Sequence, residues 1–379
     1  MKNKILFVSP DFHSTFFQAK ELKALGWKAS IYVTFSYPRK LLFTDKNVYG
    51  LKKIKSNFFL IKIVNILIQT IELLYIGSKH DYIIYYGYPS GLTTLNSVFK
   101  FIPNFSFEFF YFKTLFKKKI IFQPSGCREE MLKQDFLNFD QNVCTNCGFF
   151  EKCNDEKNKN QFSLIKKYSD LNISYGFFNT PHYKNTHFKY KSIDLNLWSS
   201  VIKIPEEYLL PKAKGIRILH SNFLKQSGRD YNNKNIKGSP FIIAAIEKLQ
   251  REGFEIEKMI IENVPSNKMR FYQAQADIVV DQLIYGHWGS TAVECMALGK
   301  PVICYLNKKW KENFIKNYPE YDSLPIIEAD TSNIYSVLKK LILDKEMRDN
   351  AGIASRKFVE AHYNPKTNAK ILQEQLLKL

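Results

Sequence analysis

The chain has 379 residues, 45% of them hydrophobic, and its 55 basic and 36 acidic side chains leave a formal net charge of +19. That length exceeds one ordinary domain, and the apolar content excludes a disordered polyelectrolyte. The charge excess, 28 basic against 15 acidic residues within 1–200, favours anionic partners: phosphates, nucleic acid or an acidic membrane face.

The opening "MKNKILFVSP" has an apolar run too short for a signal peptide, so a cytoplasmic location is expected. "KILFV" (4–8) reads as a buried strand, "TFFQAKELKALGW" (15–27) as an amphipathic helix ending at Gly26, and "KASIYVT" (28–34) as a second strand. The apolar window 57–77 carries its polar residues Lys62, Asn65, Gln69 and Glu72 on one helical stripe. This suits a helix buried on most sides, or lying against a membrane, better than one that spans it. "DYIIYYG" (81–87), "KKIIFQ" (118–123) and "DLNISYG" (170–176) are further strands. Between them, residues 98–119 hold eight phenylalanines and end in a lysine triplet. That mixture suits docking on an anionic inner membrane face.

Cys127, Cys144, Cys147 and Cys153 lie within 27 residues. Four thiolates around one C-x-x-C turn predict a structural zinc site pinning the insertion 127–153 to the first lobe. An iron–sulfur cluster and free thiols are the alternatives. Residues 201–215, with two prolines, read as a linker, and the strand–helix rhythm then restarts. "IRILH" (216–220), "IEKMIIE" (256–262), "DIVVDQ" (277–282) and "PVICYL" (301–306) are strands, and 239–253 is a helix with Pro in its first turn. The prediction is an α/β protein of two doubly wound parallel-sheet domains facing across a cleft: 1–200 and 216–361, with a helix at 362–379 returning to the first.

In "GHWGST" (286–291), Gly286 and Gly289 allow close backbone approach ahead of a helix starting at Ser290 and Thr291. A helix N-terminus after a glycine turn is suited to cradling phosphate. Tyr285, His287 and Trp288 would then face a sugar or base. Thr291 and Glu294 also have capping-box spacing.

"KGS" (237–239), "ADIVVDQ" and "VECMALGKPVI" (293–303) resemble the donor-binding lobe of GT-B glycosyltransferases, closest to glycosyltransferase family 4. "SIDLNLW" (192–198) extends a weaker resemblance into the first lobe. The resemblance implies a Rossmann-like GT-B fold and transfer of a sugar from a nucleotide-diphosphate sugar to an acceptor hydroxyl, by retaining chemistry that needs no metal. It further implies work on cell-envelope polysaccharide or glycan, with a glycan or lipid-linked acceptor and no nucleic acid. On it Lys237 grips the diphosphate, Arg229 is a second cation, Glu294 accepts from the ribose hydroxyls, and His13, Ser125 and Gly126 lie on the acceptor side. Gly286 stands where the motif has its first glutamate, which leaves anomeric retention open; His287 would take over a sugar contact. The competing readings are a nucleotide-sugar epimerase of the same fold, a basic zinc-containing nucleic-acid-binding protein, and a catalytically lapsed scaffold.

Overall fold

In a computed structural model, the described residues are 3–10, 13–34, 48–50, 58–87, 105–124, 126–137, 141, 143–174, 186–188, 191–221, 235–261, 264–317 and 324–379. The first sheet is built from β1 (Lys4–Val8), β2 (Lys28–Tyr32), β3 (Val48–Tyr49), β4 (Tyr82–Tyr86), β5 (Lys119–Gln123), β6 (Leu171–Ser174) and β7 (Thr186–Phe188). Around it run α1 (Ser14–Ala24), α2 (Phe59–Ser78), α3 (Phe107–Phe110), α4 (Lys133–Leu137) and α5 (Asp155–Tyr168). The strand order is β3-β2-β1-β4-β5-β6-β7 and the pairings are parallel. Strands covered by helices on both faces carry continuous apolar runs, hence "ILFV" and "YIIYY".

The second sheet has the order β12-β11-β10-β8-β9 and is again parallel. Its strands are β8 (Ile216–Ser221), β9 (Ile256–Ile261), β10 (Ile278–Val280), β11 (Val302–Cys304) and β12 (Ile326–Glu328). Its helices are α6 (Ser239–Arg251), α7 (Ser266–Gln273), α8 (Ser290–Ala297), α9 (Lys308–Asn317), α10 (Ile334–Leu343) and α11 (Lys345–His362). In α6, Ile242, Ala245, Ile246 and Leu249 recur at helical spacing and are buried against the sheet. The last helix, α12 (Pro365–Leu377), sends Ala369, Leu372 and Leu376 into the core of the first sheet beside Phe16 and Leu22 of α1.

Strand order reverses between β1 and β4 in one sheet and between β8 and β10 in the other. Ligands of open parallel sheets bind beyond the carboxyl ends of the strands at such reversals. The chain leaving β1 reaches His13; the chains leaving β8 and β10 deliver Ser221 and Asp281.

Residues 98–119, expected to meet a membrane, divide in the part described: Leu115 and Phe116 are exposed, while other phenylalanines pack inside. Phe109 and Phe112 are fully buried in the first core. Glu108 is buried and accepts the hydroxyl of Tyr85, and Gly77 of α2 leaves room for the Phe112 ring. Residues 98–104 lie outside the described residues.

Candidate functional site

At the carboxyl ends of β8 and β10, the Lys237 ammonium donates to the Ser221 carbonyl at 2.9 Å and to Asp281 Oδ1 at 3.0 Å. Both side chains are buried, Asp281 completely. The backbone holds the lysine there: its amide donates to Asn235 Oδ1, its carbonyl accepts from Leu283, and Gly238 turns the chain into α6 at φ 73°. Beneath it His220 is buried, its ring nitrogens bonded to the Val280 carbonyl and the Ser239 hydroxyl, both at 2.8 Å. A carbonyl can only accept, so Nδ1 carries the proton and Nε2 accepts from Ser239. Burial first, then the Lys237 charge, lowers this imidazole to about 4 and keeps it neutral.

Asp281 also accepts the Gly289 amide, Oδ2 lying 2.5 Å away. One buried carboxylate thus engages the two positive groups that the phosphate reading invokes. The amides of Ser290 and Thr291 begin α8, where no intrahelical acceptor exists for them, and both residues are only half-buried. Gly286 has φ 99°, and a Cβ there would meet the Asn307 side chain at 2.8 Å. Its freedom therefore serves a turn against Asn307, not ligand approach.

Of the three aromatic positions, Trp288 and His287 need correction. Trp288 is 2% exposed, T-shaped against Trp310 and Phe314, and its indole N–H donates to the Tyr363 hydroxyl at 2.9 Å. It is a core residue, not a wall of the cleft. His287 is buried between Tyr285 and Trp310, and its Nδ1 is 2.8 Å from the Trp288 carbonyl. Burial lowers its pKa to about 3, so it stays neutral and cannot serve as an acid near neutrality. Tyr285 is half-buried and stacks on Phe136 of α4, making a contact between the two lobes.

Glu294 and Thr291 do not form a capping box. The N-cap is Gly289, so Glu294 falls in the second turn of α8, past the reach of the first amides. Its carboxylate instead accepts the Gln273 amide at 2.5 Å and lies 3.6 Å from His13 Nδ1. Gln273 in turn accepts the Trp198 indole N–H at 3.2 Å, and Trp198 packs against His13 with centroids 4.8 Å apart. His13 and Glu294, assigned to opposite sides of the cleft, are therefore brought together.

Burial raises Glu294 to about 7, against the pull of the Gln273 amide and the Lys237 and Lys191 charges. Burial likewise raises Glu108 and Glu130 to about 8 each. A carboxyl whose folded pKa exceeds its unfolded value of 4.5 holds an extra proton in the native state between the two. These three carboxyls therefore contribute stability that is full below about pH 4.5 and is lost as pH rises toward 8; above pH 6.5, where His220 and His287 are neutral folded or unfolded, that fall is unopposed. Thermal unfolding followed across that range checks this, and Glu108→Gln should flatten the decline.

The cysteine insertion crosses to the second lobe instead of lying on the first alone. Gln141 bonds Asp330 and Thr331 at 3.2 and 3.3 Å, and Phe136 and Val143 enter the core that contains Trp288. The C-x-x-C turn is closed by the Cys147 amide on the Cys144 carbonyl at 3.0 Å, and the Phe149 amide donates to Cys147 Sγ at 3.4 Å. Among the described residues, no three His, Cys, Asp or Glu side chains are grouped to hold a metal ion, so the zinc expectation finds no support. Burial, then the neighbouring thiols, pushes Cys127 up to about 12 and Cys144 to about 11. Gly126 is exposed, while Arg229 and Ser125 lie outside the described residues.

Asp281, Gln273, Asn235 and Trp198 carry much of this arrangement and are absent from the sequence-based set. Asp281 had a signal: a carboxylate directly after a buried strand at the sheet's reversal point.

Residues 244–358 match the family model described as glycosyl transferases group 1. HepE from Anabaena, solved with UDP and glucose, superposes with a TM-score of 0.61 at 12% identity, covering 100% of both chains. Sucrose-phosphate synthase from Thermosynechococcus elongatus gives 0.62 at 14%, covering 100% of this chain and 98% of that one. UDP-GlcNAc 2-epimerase from Neisseria meningitidis, bound to UDP-GlcNAc, gives 0.56 at 14% with full coverage of both. No curated protein matches the chain. The architecture is the two-domain GT-B fold.

Proposed function

We propose that this chain is a glycosyltransferase moving a sugar from a nucleoside-diphosphate sugar to an acceptor hydroxyl. The observation carrying this reading is the meeting of Lys237 with the N-terminal turn of α8 at the carboxyl ends of β8 and β10. Cleaving the anomeric carbon–oxygen bond places negative charge on the departing diphosphate. A fixed ammonium and helix-terminal amides stabilise that charge without reorganising. Ser290 and Thr291 supply the amides, Lys237 the cation, and Asp281 the internal counter-charge that positions both. Glu294 takes the ribose hydroxyls, with His13 beside it from the acceptor lobe. The departing phosphate can itself take the acceptor's proton, so the chemistry asks for no separate catalytic base. With Gly286 in the position of the motif's glutamate, anomeric retention is the part of the reading to establish by product stereochemistry.

The reading is tested by thermal shift with UDP, GDP, ADP and their sugars. A ligand at about 100 times its Kd adds about 2.7 kcal/mol of stability. One diphosphate is expected to give such a shift, with UDP the first to try because the HepE and epimerase structures hold uridine nucleotides. No shift from any of them would overturn the reading. Turnover of UDP-GlcNAc to an epimer without acceptor would replace it with the epimerase alternative.

Ribose hydroxyls donate to an ionised carboxylate better than to a carboxylic acid. Nucleotide affinity is therefore expected to rise roughly tenfold from pH 6 to pH 8, centred near 7, the value to which Glu294 is raised. Calorimetric titration of wild type and Glu294→Gln checks this. A variant that keeps the wild-type pH profile would remove Glu294 from the ribose contact.

A further inference from the structure

Helix α2 is folded with its polarity reversed. Asn65, Gln69 and Thr70 point inward and are buried; the Tyr32 hydroxyl donates to the Gln69 carbonyl at 2.9 Å and to Glu72 Oε2 at 3.1 Å. The opposite face is apolar and open: Leu60, Val64, Leu67, Ile71 and Tyr75 are 73, 44, 45, 66 and 61% exposed. Spaced by three or four residues, these five form one stripe along about 22 Å of helix. Scattered apolar side chains on a surface are ordinary, but a continuous stripe of this length marks a face that is covered in use.

The neighbourhood says what covers it. The carboxyl half of α2 packs through Ile76 and Gly77 onto Phe112, and the chain just after that residue presents Leu115 and Phe116, both exposed, followed by Lys117 and Lys118. Lys79 lies over the Tyr75 ring, 3.6 Å from its centroid, at the end of the stripe. Apolar side chains bordered by lysines match the two layers of an anionic lipid surface, acyl boundary and headgroups. No helix among the described residues is long and apolar enough to cross a membrane, so a helix lying in the interface is the geometry that fits.

We propose that the outer face of α2, with the Leu115–Lys118 tip, seats the first lobe on an anionic bilayer. The seat stands independently of the sugar-transfer reading; a lipid-linked acceptor would require both.

The test is flotation of the full chain with phosphatidylcholine vesicles, with and without phosphatidylglycerol, at low and high salt. Binding to the anionic vesicles, weakened by salt, is expected. Leu67→Glu with Ile71→Glu should cut the bound fraction by about tenfold or more, and Lys117→Glu with Lys118→Glu should abolish the preference for anionic lipid. Leu60→Glu with Val64→Glu is an independent variant at the other end of the stripe. Unchanged circular dichroism and an unchanged nucleotide thermal shift show that a variant is folded, and keep failure of the seat separate from failure of the enzymatic reading. Wild-type flotation by both apolar-face variants would overturn the proposal. Equal binding to neutral vesicles would overturn its anionic part. Absence of vesicle binding, with a dimer that the Leu67 and Ile71 changes dissolve, would assign the face to a second copy of the chain.

Discussion

Lys237→Met is expected to destabilise the fold by about 3–5 kcal/mol and to lower turnover by about 10²–10³ in whatever protein remains folded. The two effects have separate origins. Stability falls because Asp281, whose side chain is fully buried, loses its ammonium 3.0 Å away and is left with the Gly289 amide alone. Turnover falls because the cation that would face the departing diphosphate is gone. The double variant Lys237→Met with Asp281→Asn separates them, since it removes the unpaired charge while keeping the side-chain volume. It should recover most of the stability, as measured by denaturant midpoint, and none of the turnover or nucleotide binding. If the double variant binds nucleotide as the wild type does, Lys237 is only the counter-ion of Asp281 and the diphosphate assignment is wrong. Asp281→Asn alone should be destabilised comparably to Lys237→Met, because it leaves the lysine as the uncompensated buried charge.

The elements legible in the sequence are those whose cause is local. "KILFV" reads as β1 because a strand buried on both faces must be apolar throughout, and Pro240 announces α6 from its first turn. Lys237 is found through the "KGS" resemblance, and the structure puts it at the sheet's reversal point. Asp281 is not found: its place directly after a buried strand is visible, but its partners are 44 and 8 residues away and nothing local says that it is aimed at Lys237. Gln273 escapes for the same reason, and His13 is placed on the acceptor side with no sign that it meets Glu294: that cluster is assembled from three elements far apart in sequence. The polar stripe of α2 is visible in the sequence as a stripe, yet periodicity alone does not say which face looks inward. The answer comes from Tyr32, a residue on a different element, reaching across to Gln69 and Glu72. The capping-box spacing at Thr291 fails because Gly289 starts the helix two residues earlier than that motif requires.

Trp288 illustrates the same limit with a large energetic consequence. Beside two glycines an indole reads as ligand surface, but the structure surrounds it with Trp310 and Phe314 of α9 and Phe358 of α11, and ties its N–H to Tyr363. Trp288→Ala is expected to cost about 3–5 kcal/mol, the range for emptying a buried aromatic site. Trp288→Phe keeps most of the packing but removes the indole donor from the buried Tyr363 hydroxyl, for about 1–3 kcal/mol. Chemical denaturation measures both. The folded fraction of Trp288→Phe should bind nucleotide with wild-type affinity, since the indole borders the core of the second lobe and not the diphosphate turn. A loss of affinity in a variant of unchanged stability would restore Trp288 to the ligand's side of the loop. It would also mean that the turn before Ser290 opens further in solution than its packing against Trp310 allows.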